Sequence, residues 1–423
     1  MPCKPAKAKK LLRNGKAKVI SRMPFVIQLL FGSSGYKQKV VQKLDSGSKT
    51  VGTAAVRADG KVLYASEIKT RTDIPEKMAQ RLSYRRTRRG RKTRYRAPRF
   101  DNRARTDNWL TPTIRSKIQT HIREIKYTKS ILPICDNAGG LIIETATFDI
   151  HKITNPDVAN DLTGKSYQTG RQKGFYNTKA FILSRDNYEC KKCCGKKNNP
   201  KLHVHHIIFR SNGGTNSPDN LITLCESCHN TLHAHKTPEK ESLKLQTTKH
   251  KNTTDATHVS TIATALEKTI NFTKAYGYET KYNREILELP KAHFVDAMCV
   301  GLVGGEIVEM PEFVFKKVCV ARGDYQRTRG RRSEQQKPKG KTCGFSRYDK
   351  VLINDTVGFV RARMSTGYAI LMDIDGKEMK MKPMAKFSKM KKLAAKSSVL
   401  CHFESTKKYL EVQDEKNKAR NAA

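Results

Sequence analysis

The fold of this chain is decided by one stretch, residues 187–235, which reads NYECKKCCGKKNNPKLHVHHIIFRSNGGTNSPDNLITLCESCHNTLHAH. Cys190 and Cys193 form one Cys-x-x-Cys pair in it, and Cys225 and Cys228 form a second. At this spacing four thiolates can surround one tetrahedral Zn²⁺ and tie two loops together. Because so short a stretch cannot bury a large core, we expect the metal to supply much of its stability.

Histidines and an asparagine follow in a regular order between and after the cysteine pairs. VHHII predicts the end of a strand, SNGG a turn, SPDNLITLC a second strand and CHNTLHAH the start of a helix. The order His206, Asn220, His229 resembles the HNH endonuclease motif, in which a ββα hairpin and helix hold one divalent cation against the scissile phosphate. The resemblance implies a nuclease site within this stretch.

The resemblance also implies a role for each side chain. His206 is the expected general base, because an imidazole that is neutral near pH 7 can take a proton from water. Asn220 is expected to orient that ring, and His205 and His229 to ligate one Mg²⁺. The family usually carries Asp immediately before the base, where this chain has His205, and imidazole suits transition metals better than Mg²⁺.

A second interpretation of the same stretch is a zinc ribbon with scattered histidines that contacts nucleic acid without cutting it. A ribbon has no need for Asn220 and His229 in register with a histidine pair, which favours the nuclease. We interpret Cys194, His203 and His235 as bystanders. His233 is placed with them, although it lies one turn after His229 and could reach the same metal.

Composition narrows the class of protein. The 423 residues suit two to four domains, and 83 Lys and Arg against 39 Asp and Glu give a net charge of +44. A charge this large predicts a polyanionic partner over much of the surface. The longest apolar runs, such as FVIQLLF, are too short to span a bilayer, and no signal peptide precedes them, so we expect no membrane partner.

Cysteine usage predicts a reducing compartment. Of the eleven cysteines, four are assigned to zinc, and the others show no pairing pattern typical of a disulfide framework. We therefore expect a cytoplasmic protein. The cysteines interpreted as core or neutral positions are Cys3, Cys135, Cys299, Cys319, Cys343 and Cys401.

Three segments outside the zinc stretch carry isolated acidic residues. VVQKLDSGSKTVGTAAVRADGKVLYASEIK predicts three strands, with Asp45 at the end of the first and Asp59-Gly60 as a tight turn. GGLIIETATFD predicts a buried strand with a lone carboxylate at Glu144, which is costly unless paired or metal-bound. LPKAHFVDAMCVGL has helical spacing and places His293 and Asp296 on one face.

An Asp on the first strand, a Glu on the fourth, and an Asp with a nearby His on a later helix resemble the RuvC branch of the RNase H fold. In that family the carboxylates bind two Mg²⁺ ions that activate water and stabilise the departing oxygen. The resemblance implies Asp45, Glu144 and Asp296 as metal ligands and His293 as the accompanying acid or base. Taken singly, Asp45 also fits a turn residue, Glu144 a core ion-pair partner and His293 a helix-surface residue.

The segment 81–105, RLSYRRTRRGRKTRYRAPRFDNRAR, holds eleven arginines and one acidic residue. Such a run is usually a disordered tail, but this one is internal, contains aromatic residues and reaches its first proline only at Pro98. We predict a helix that bridges lobes and grips nucleic-acid phosphates through bidentate contacts. The arginines assigned to this role are Arg81, Arg85, Arg86, Arg88, Arg89, Arg91, Arg94, Arg96 and Arg99.

Taken together, these segments resemble IscB, the transposon-associated RNA-guided endonuclease related to the ancestor of the type II CRISPR effector. The expected fold is a multidomain α/β protein whose RNase H-like domain is split by the bridge helix and by a zinc-stapled ββα insertion, with a small, mainly-β C-terminal domain. The predicted divisions are 1–35, a PLMP-like N-terminal segment; 36–75, RuvC part I; 76–106, the bridge helix; 107–170, RuvC part II; 171–240, HNH; 241–305, RuvC part III; and 306–423, a C-terminal region contacting RNA and a target-adjacent motif.

The resemblance implies a monomeric ribonucleoprotein with a structured guide RNA and a double-stranded DNA target, in a prokaryotic cell and associated with its nucleoid. It also implies that the HNH site, with one Mg²⁺, cuts the guide-paired strand, and that the RuvC site, with two, cuts the displaced strand. Two rival hypotheses stay open at this point. One is a DNA endonuclease that recognises its site through protein contacts alone, and the other is a nucleic-acid-binding protein without activity.

Overall fold

The structure is a computed structural model of the chain. It describes residues 3–22, 24–32, 38–89, 109–134, 138–146, 172, 174–175, 177–195, 201–246, 253–303, 306–321 and 340–411. The chain divides into two compact units. The first joins Met1–Thr147 to His258–Ala423, and the second is Phe148–Thr257.

The helices and strands are numbered in chain order. The helices are α1 (Pro5–Arg13), α2 (Ile74–Arg89), α3 (Pro112–Ile131), α4 (Thr178–Arg185), α5 (Glu226–His233), α6 (Pro238–Leu243), α7 (Thr254–Glu267), α8 (Gly277–Ile286) and α9 (His293–Cys299). The strands are β1 (Ala17–Arg22), β2 (Phe25–Leu29), β3 (Val40–Asp45), β4 (Thr50–Arg57), β5 (Val62–Lys69), β6 (Leu141–Glu144), β7 (Leu202–His206), β8 (Leu221–Cys225), β9 (Thr273–Ala275), β10 (Phe313–Cys319), β11 (Lys350–Ile353), β12 (Thr356–Arg363), β13 (Tyr368–Met372), β14 (Glu378–Met379), β15 (Ala385–Lys386), β16 (Lys391–Ala394) and β17 (Val399–Ser405).

A seven-stranded sheet in the order β17-β10-β5-β4-β3-β6-β9 forms the centre of the first unit in the described residues. Strands β3, β4 and β5 pair with one another as an antiparallel meander, which confirms the three predicted strands. Strand β6 then lies parallel to β3, and β9 parallel to β6. The turn between β4 and β5 needs Gly60, because its φ is +83° and an added Cβ would lie 2.0 Å from the Ile307 carbonyl oxygen.

Helices cover both faces of this sheet. Ile118 and Ile125 of α3 and Leu266 of α7 belong to a buried cluster with sheet residues such as Leu44 and Ile143. On the other face, the apolar side chains of α9 pack against those of β4 and β5. Alternate residues of β4 point to opposite faces and both faces are covered, so its interior is buried throughout.

Helix α9 lies unusually close to the sheet because β4 has a glycine beneath it. A Cβ added at Gly52 would lie 1.8 Å from the His293 carbonyl oxygen, so only glycine permits this approach. Gly52 is also the register partner of Asp45 across the β3–β4 pair. The missing side chain therefore brings the start of α9 close to the end of β3.

The predicted division at 306 treated the C-terminal region as separate from the large sheet. In the structure, two strands of this region belong to that sheet. Strand β10 lies parallel to β5, and β17 lies antiparallel to β10. Between them β11 to β16 form a six-stranded antiparallel sheet with its own buried cluster, which includes Val351, Val360 and Leu371. The small β domain predicted there is thus an insertion between two strands of the larger sheet.

The second unit holds a ββα arrangement. Strands β7 and β8 pair antiparallel, and α5 follows β8 directly. Helix α4 begins where the Asn177 side chain accepts a hydrogen bond from Ala180 N at 2.9 Å, an N-cap. Helix α6 also packs in this unit, so the unit extends to Thr257 and beyond the predicted boundary at 240.

Within the described residues, none of the helices combines the length and the apolar character that crossing a bilayer requires.

Candidate metal centres and catalytic clusters

The four cysteines of the two Cys-x-x-Cys pairs lie together in the second unit. Cys190 and Cys193 follow α4, Cys225 ends β8, and Cys228 lies in the first turn of α5. Their sulfur atoms all lie within 4.8 Å of one another, and the Sγ atoms of Cys193 and Cys225 are 3.9 Å apart. Four thiolates around one Zn²⁺ are separated by about 3.8 Å. The cluster can therefore hold a structural zinc ion, as predicted.

A second group consists of three histidines. His205 lies on β7, while His229 and His233 lie one turn apart on α5 and share one face of that helix. The ring centroids of His205 are 5.3 Å from those of both helix histidines, and their ligand nitrogens all lie within 4.8 Å of one another. The structure thus places His205 and His229 together, as expected. His233 belongs to the same group and is not a bystander, which the helical spacing from His229 allowed.

A hydroxyl behind His205 fixes which ring nitrogen is available. Ser242 Oγ lies 2.8 Å from the Ile207 carbonyl oxygen and 2.8 Å from His205 Nε2. A serine hydroxyl has one proton, and the carbonyl oxygen can only accept it, so Ser242 accepts a second bond from His205 Nε2–H. This tautomer leaves the lone pair on Nδ1 of His205 for a metal.

Burial keeps His205 neutral. Its residue is 4 % exposed, and burial, followed by the positive charges of His229 and His233, lowers the pKa of His205 to about 4. Burial also lowers the pKa of His229. Neutral imidazoles at pH 7 can act as ligands, so the group can hold one divalent cation.

His206 points to the side of β7 opposite to His205, because successive residues of a strand alternate. Its Nε2 lies 2.8 Å from Asn216 Oδ1, and Arg210 donates to the same Asn216 oxygen at 2.7 Å. The ring is half-buried, which leaves part of it accessible to substrate. Asn216 and Arg210 were not predicted, because neither belongs to the motif that carries the resemblance.

Asn220 does not orient His206 directly, contrary to our expectation. Its amide donates to the carbonyl oxygens of Ile208 and Thr215, and its Oδ1 accepts from Ile208 N at 2.8 Å. Asn220 is fully buried at the base of the β7–β8 loop, so its side chain is committed to the backbone. It thereby fixes the loop that carries Asn216, whose Oδ1 lies 2.8 Å from His206 Nε2.

The other residues predicted to be bystanders in this unit lie outside both ligand groups. The ring of His203 stacks on that of His229 with centroids 5.2 Å apart, outside the three-histidine group. His235 Nε2 lies 4.0 Å from Glu241, and Cys194 is exposed.

The carboxylates of the first unit converge at one end of the large sheet. Asp45 and Glu144 end the parallel neighbours β3 and β6, where they are register partners. His293, at the start of α9, has its Nδ1 2.6 Å from Asp45 Oδ2. Asp296 follows one turn later on α9 and forms an ion pair of 2.8 Å with Arg284. The structure therefore brings all four predicted residues of this site together.

The proximity of these carboxylates and their burial change the pKa values of the cluster. Burial, followed by the charges of Asp45 and Asp296, raises the pKa of Glu144 to about 7. Burial and the charge of Asp45 also raise the pKa of Asp296, whereas the hydrogen bond to Asp45 raises the pKa of His293. Three carboxylates that repel one another in a buried site are stabilised by cations between them.

The carboxylate cluster is wider than the other two groups. In the described part of the chain, only the four cysteines and the three histidines have all their ligand atoms within 4.8 Å of one another.

Several neighbours of the carboxylates escaped the sequence analysis. Thr280 of α8 hydrogen-bonds to Glu144, and a Cβ added at Gly277 would lie 2.8 Å from Glu144 Oε1. His293 N donates to Glu67 at 2.9 Å. The glycine that begins α8 was the one available signal, since it marks a close approach of backbone to a site.

The arginine-rich segment is helical where the structure describes it. Helix α2 contains Arg81 to Arg89, and its described side chains include exposed Arg81 and Arg86 and half-buried Arg85. Arg88 and Arg89 end the helix. The remaining predicted phosphate contacts lie outside the described residues: Arg91, Arg94, Arg96 and Arg99.

Comparison with known proteins gives two domain matches. Residues 1–170 match a protein-family model described as RRXRR protein, and residues 190–235 match one described as HNH endonuclease. Residues 85–89 read Arg-Arg-Thr-Arg-Arg, the pattern in the first name.

Two curated proteins share shorter stretches with the chain. The type IV methyl-directed restriction enzyme EcoKMcrA of Escherichia coli K12 is 42 % identical over 62 residues, which are 13 % of this chain and 22 % of that enzyme. Anaredoxin of Nostoc is 40 % identical over 52 residues, which are 12 % of this chain and 66 % of that protein. The chain thus covers about a fifth of the restriction enzyme and less than two thirds of anaredoxin. It carries an RRXRR domain followed by an HNH endonuclease domain, and its second unit contains a nuclease module of the HNH class.

Proposed function

We propose that this protein is an RNA-guided, metal-dependent DNA endonuclease with two separate centres, similar to IscB. The observation that carries the second centre is the pairing of Asp45 with Glu144 in register on parallel strands, with His293 and Asp296 beside them. The HNH match carries the first.

The topology supports an RNase H-like domain. Its five central strands have the order β5-β4-β3-β6-β9, in which a three-stranded antiparallel meander is extended by parallel strands. Asp45 ends the first strand of this domain and Glu144 ends the fourth. This is the placement that the RuvC resemblance implies.

At the carboxylate cluster, bound Mg²⁺ would activate water and offset charge on the leaving oxygen. Asp45, Glu144 and Asp296 are the residues that would hold it. The His293 side chain is 47 % exposed and hydrogen-bonded to Asp45, so it can exchange a proton with water or with the leaving oxygen.

At the HNH site, His206 is placed to act as the general base. Asn216 Oδ1 lies 2.8 Å and Arg210 Nε 3.3 Å from His206 Nε2, and these two side chains position the ring so that one of its nitrogens can take a proton from the attacking water. The water oxygen then bonds to phosphorus as the bond to the leaving oxygen breaks. The three-histidine group on the opposite side of β7 is the candidate for the divalent cation.

Guide RNA is supported by the N-terminal match and by the family resemblance. The net charge of +44 supports a polyanionic partner, which RNA and DNA fit equally. Helix α2 presents arginines from the segment that matches the RRXRR family. In this proposal base pairing supplies the sequence specificity and the protein recognises the shape of the heteroduplex.

The test begins with the complex purified from cells. Co-purified RNA is sequenced, and a matching DNA duplex is prepared with each strand labelled separately. Asp45→Ala should abolish cutting of the displaced strand alone, and His206→Ala cutting of the guide-paired strand alone. Loss of both cuts in either single variant would show that the two centres are not independent.

The similarity to a restriction enzyme supports a second candidate, an endonuclease that recognises DNA through protein contacts alone. Absorbance at 260 nm relative to 280 nm separates the two. A preparation free of nucleic acid that still cuts at one sequence would establish this candidate and rule out RNA guidance.

A further inference from the structure

The ligand sets of the two centres differ in chemistry. The three-histidine group, His205, His229 and His233, offers imidazole nitrogen and includes no carboxylate. The ring of His203, stacked on His229, adds another imidazole to the surroundings. The carboxylate cluster, in contrast, offers oxygen from Asp45, Glu144 and Asp296. The two sets therefore differ in hardness and in charge.

Mg²⁺ does not fit the histidine group. It is a hard cation that prefers oxygen ligands and gives up its waters reluctantly, so anionic oxygens normally offset the cost of removing them. Neutral imidazoles supply no such charge. Imidazole suits Zn²⁺ and Ni²⁺, and the affinity of a given nitrogen site rises from Mn²⁺ through Co²⁺ to Ni²⁺.

One ring of the group is held before any metal binds. Ser242, itself fully buried, lies 2.8 Å from His205 Nε2, and one turn of α5 carries both His229 and His233. Because the His205 ring is already oriented, an ion that binds here has fewer side chains to order.

We propose that the two centres of this chain use different metals: the histidine group takes a transition-metal ion and rejects Mg²⁺, whereas the carboxylate cluster takes Mg²⁺. This inference rests on the proposed function for its consequence, since the metal supplied would then select which strand is cut. Mg²⁺ alone should support the carboxylate centre, and Mn²⁺, which both ligand sets accept, should support both centres.

Cobalt binding tests the inference without nucleic acid. The full-length Asp45→Ala protein, with zinc retained at its cysteines, is stripped of other metals and titrated with Co²⁺. Visible absorption and elemental analysis should show one Co²⁺ per chain, and roughly a thousandfold molar excess of Mg²⁺ should leave it bound. His233→Ala, a change at an exposed ligand, should lower the affinity at least about tenfold.

His235→Ala is the matched control, because His235 is exposed, lies two residues away and is outside the group. Its Co²⁺ affinity should equal that of the parent. Displacement of Co²⁺ by that excess of Mg²⁺, or unchanged binding in His233→Ala, would overturn the inference. Calorimetric unfolding confirms that each variant is folded before it is scored.

The activity arm separates this inference from the proposed function. On the labelled target, the Asp45→Ala complex should cut the guide-paired strand with Co²⁺ or Mn²⁺ and leave it intact with Mg²⁺. Cutting of that strand with Mg²⁺ alone would refute the metal assignment and leave the nuclease proposal standing. Selective Co²⁺ binding with no cutting under any metal would support the metal assignment and refute the nuclease proposal.

Discussion

At the scale of single residues, Ser242 connects α6 to the histidine group through one hydroxyl. It accepts from His205 Nε2 and donates to the Ile207 carbonyl oxygen, both at 2.8 Å. Ser242→Ala removes the acceptor and frees the imidazole to rotate, so we expect Co²⁺ affinity to fall by roughly 10- to 100-fold. Titration by visible absorption measures it. Ser211→Ala, at an exposed serine of the same unit, should leave the affinity unchanged.

Lys43 is a buried cation on β3, two residues from Asp45. It is 5 % exposed, and burial lowers its pKa from 10.5 to about 8. Below pH 8 the folded protein carries a buried charge, so Lys43→Met should stabilise the first unit at pH 7 by up to about 3 kcal/mol.

The direction in which stability changes with pH follows from the lowered pKa of Lys43. Between pH 8 and 10.5 the unfolded chain binds more protons at Lys43, so parent stability rises with pH in this window. The advantage of Lys43→Met should therefore disappear as pH approaches 10.5. Denaturant unfolding at several pH values measures this, with exposed Lys39→Met as the control. A constant advantage across the window would contradict the burial argument.

Residues that carry their own chemistry could be predicted, and residues that act on them could not. Asp45, Glu144 and the cysteine pairs stand out because a lone carboxylate in an apolar strand, or a regular thiol spacing, needs an explanation. Ser242 and Asn216 are ordinary polar residues whose importance comes from distance in space. No spacing in the chain indicates that a serine 37 positions after His205 bonds to it.

At the scale of elements, the seating of α9 on the sheet depends on Gly52. Gly52→Ala would place a methyl group 1.8 Å from the His293 carbonyl oxygen, so α9 must move away from β4. We expect the variant to lose cleavage at the carboxylate centre and to unfold at a lower temperature, because His293 and Asp296 move with the helix. Strand-specific cleavage and calorimetry measure these effects.

Gly32→Ala is the matched control, because a Cβ there meets no atom within 4 Å. If Gly52→Ala lost stability but cut both strands at the parent rate, close seating of α9 would be irrelevant to the site. The retained cut of the guide-paired strand reports on the second unit, which should be unaffected.

The elements missed by the sequence analysis are strands that violate the expected pattern. Strand β10 contains Lys317, which is 5 % exposed and pairs with Glu124 of α3 at 2.8 Å. A lysine in a strand normally indicates solvent, and its buried partner lies 193 positions away. The meander of β3 to β5 followed the pattern of apolar residues and a tight turn, and was predicted correctly.

At the scale of the whole molecule, stability should divide between the two units. The second unit has small buried clusters and four cysteines, so zinc is expected to contribute on the order of 10 kcal/mol to its folding. Cys190→Ser, or chelation of zinc, should remove one calorimetric transition and preserve that of the sheet unit. Cys194→Ser, at an exposed cysteine, should keep both. If the parent shows one calorimetric transition and Cys190→Ser loses it entirely, the two units unfold together.

The order of motifs along the chain predicted the interruption of one domain by another, because the acidic residues of one site lie on both sides of the cysteine pairs. The same reasoning could not reveal that the C-terminal region returns to the sheet. That return depends on β17, a strand with no chemical motif and only one fully buried hydrophobic residue, Leu400.

The small β domain departs from and rejoins the sheet at neighbouring positions. Cys319 and Val399 are register partners at the ends of β10 and β17, and Val320 N donates to the Ser398 carbonyl oxygen at 2.9 Å. A two-residue hairpin could therefore close the gap with residues 321–397 excised. The cost of such a deletion would be exposure of Leu400 on β17, whose side chain is buried in one cluster with Phe359 and Met372 of the small β domain.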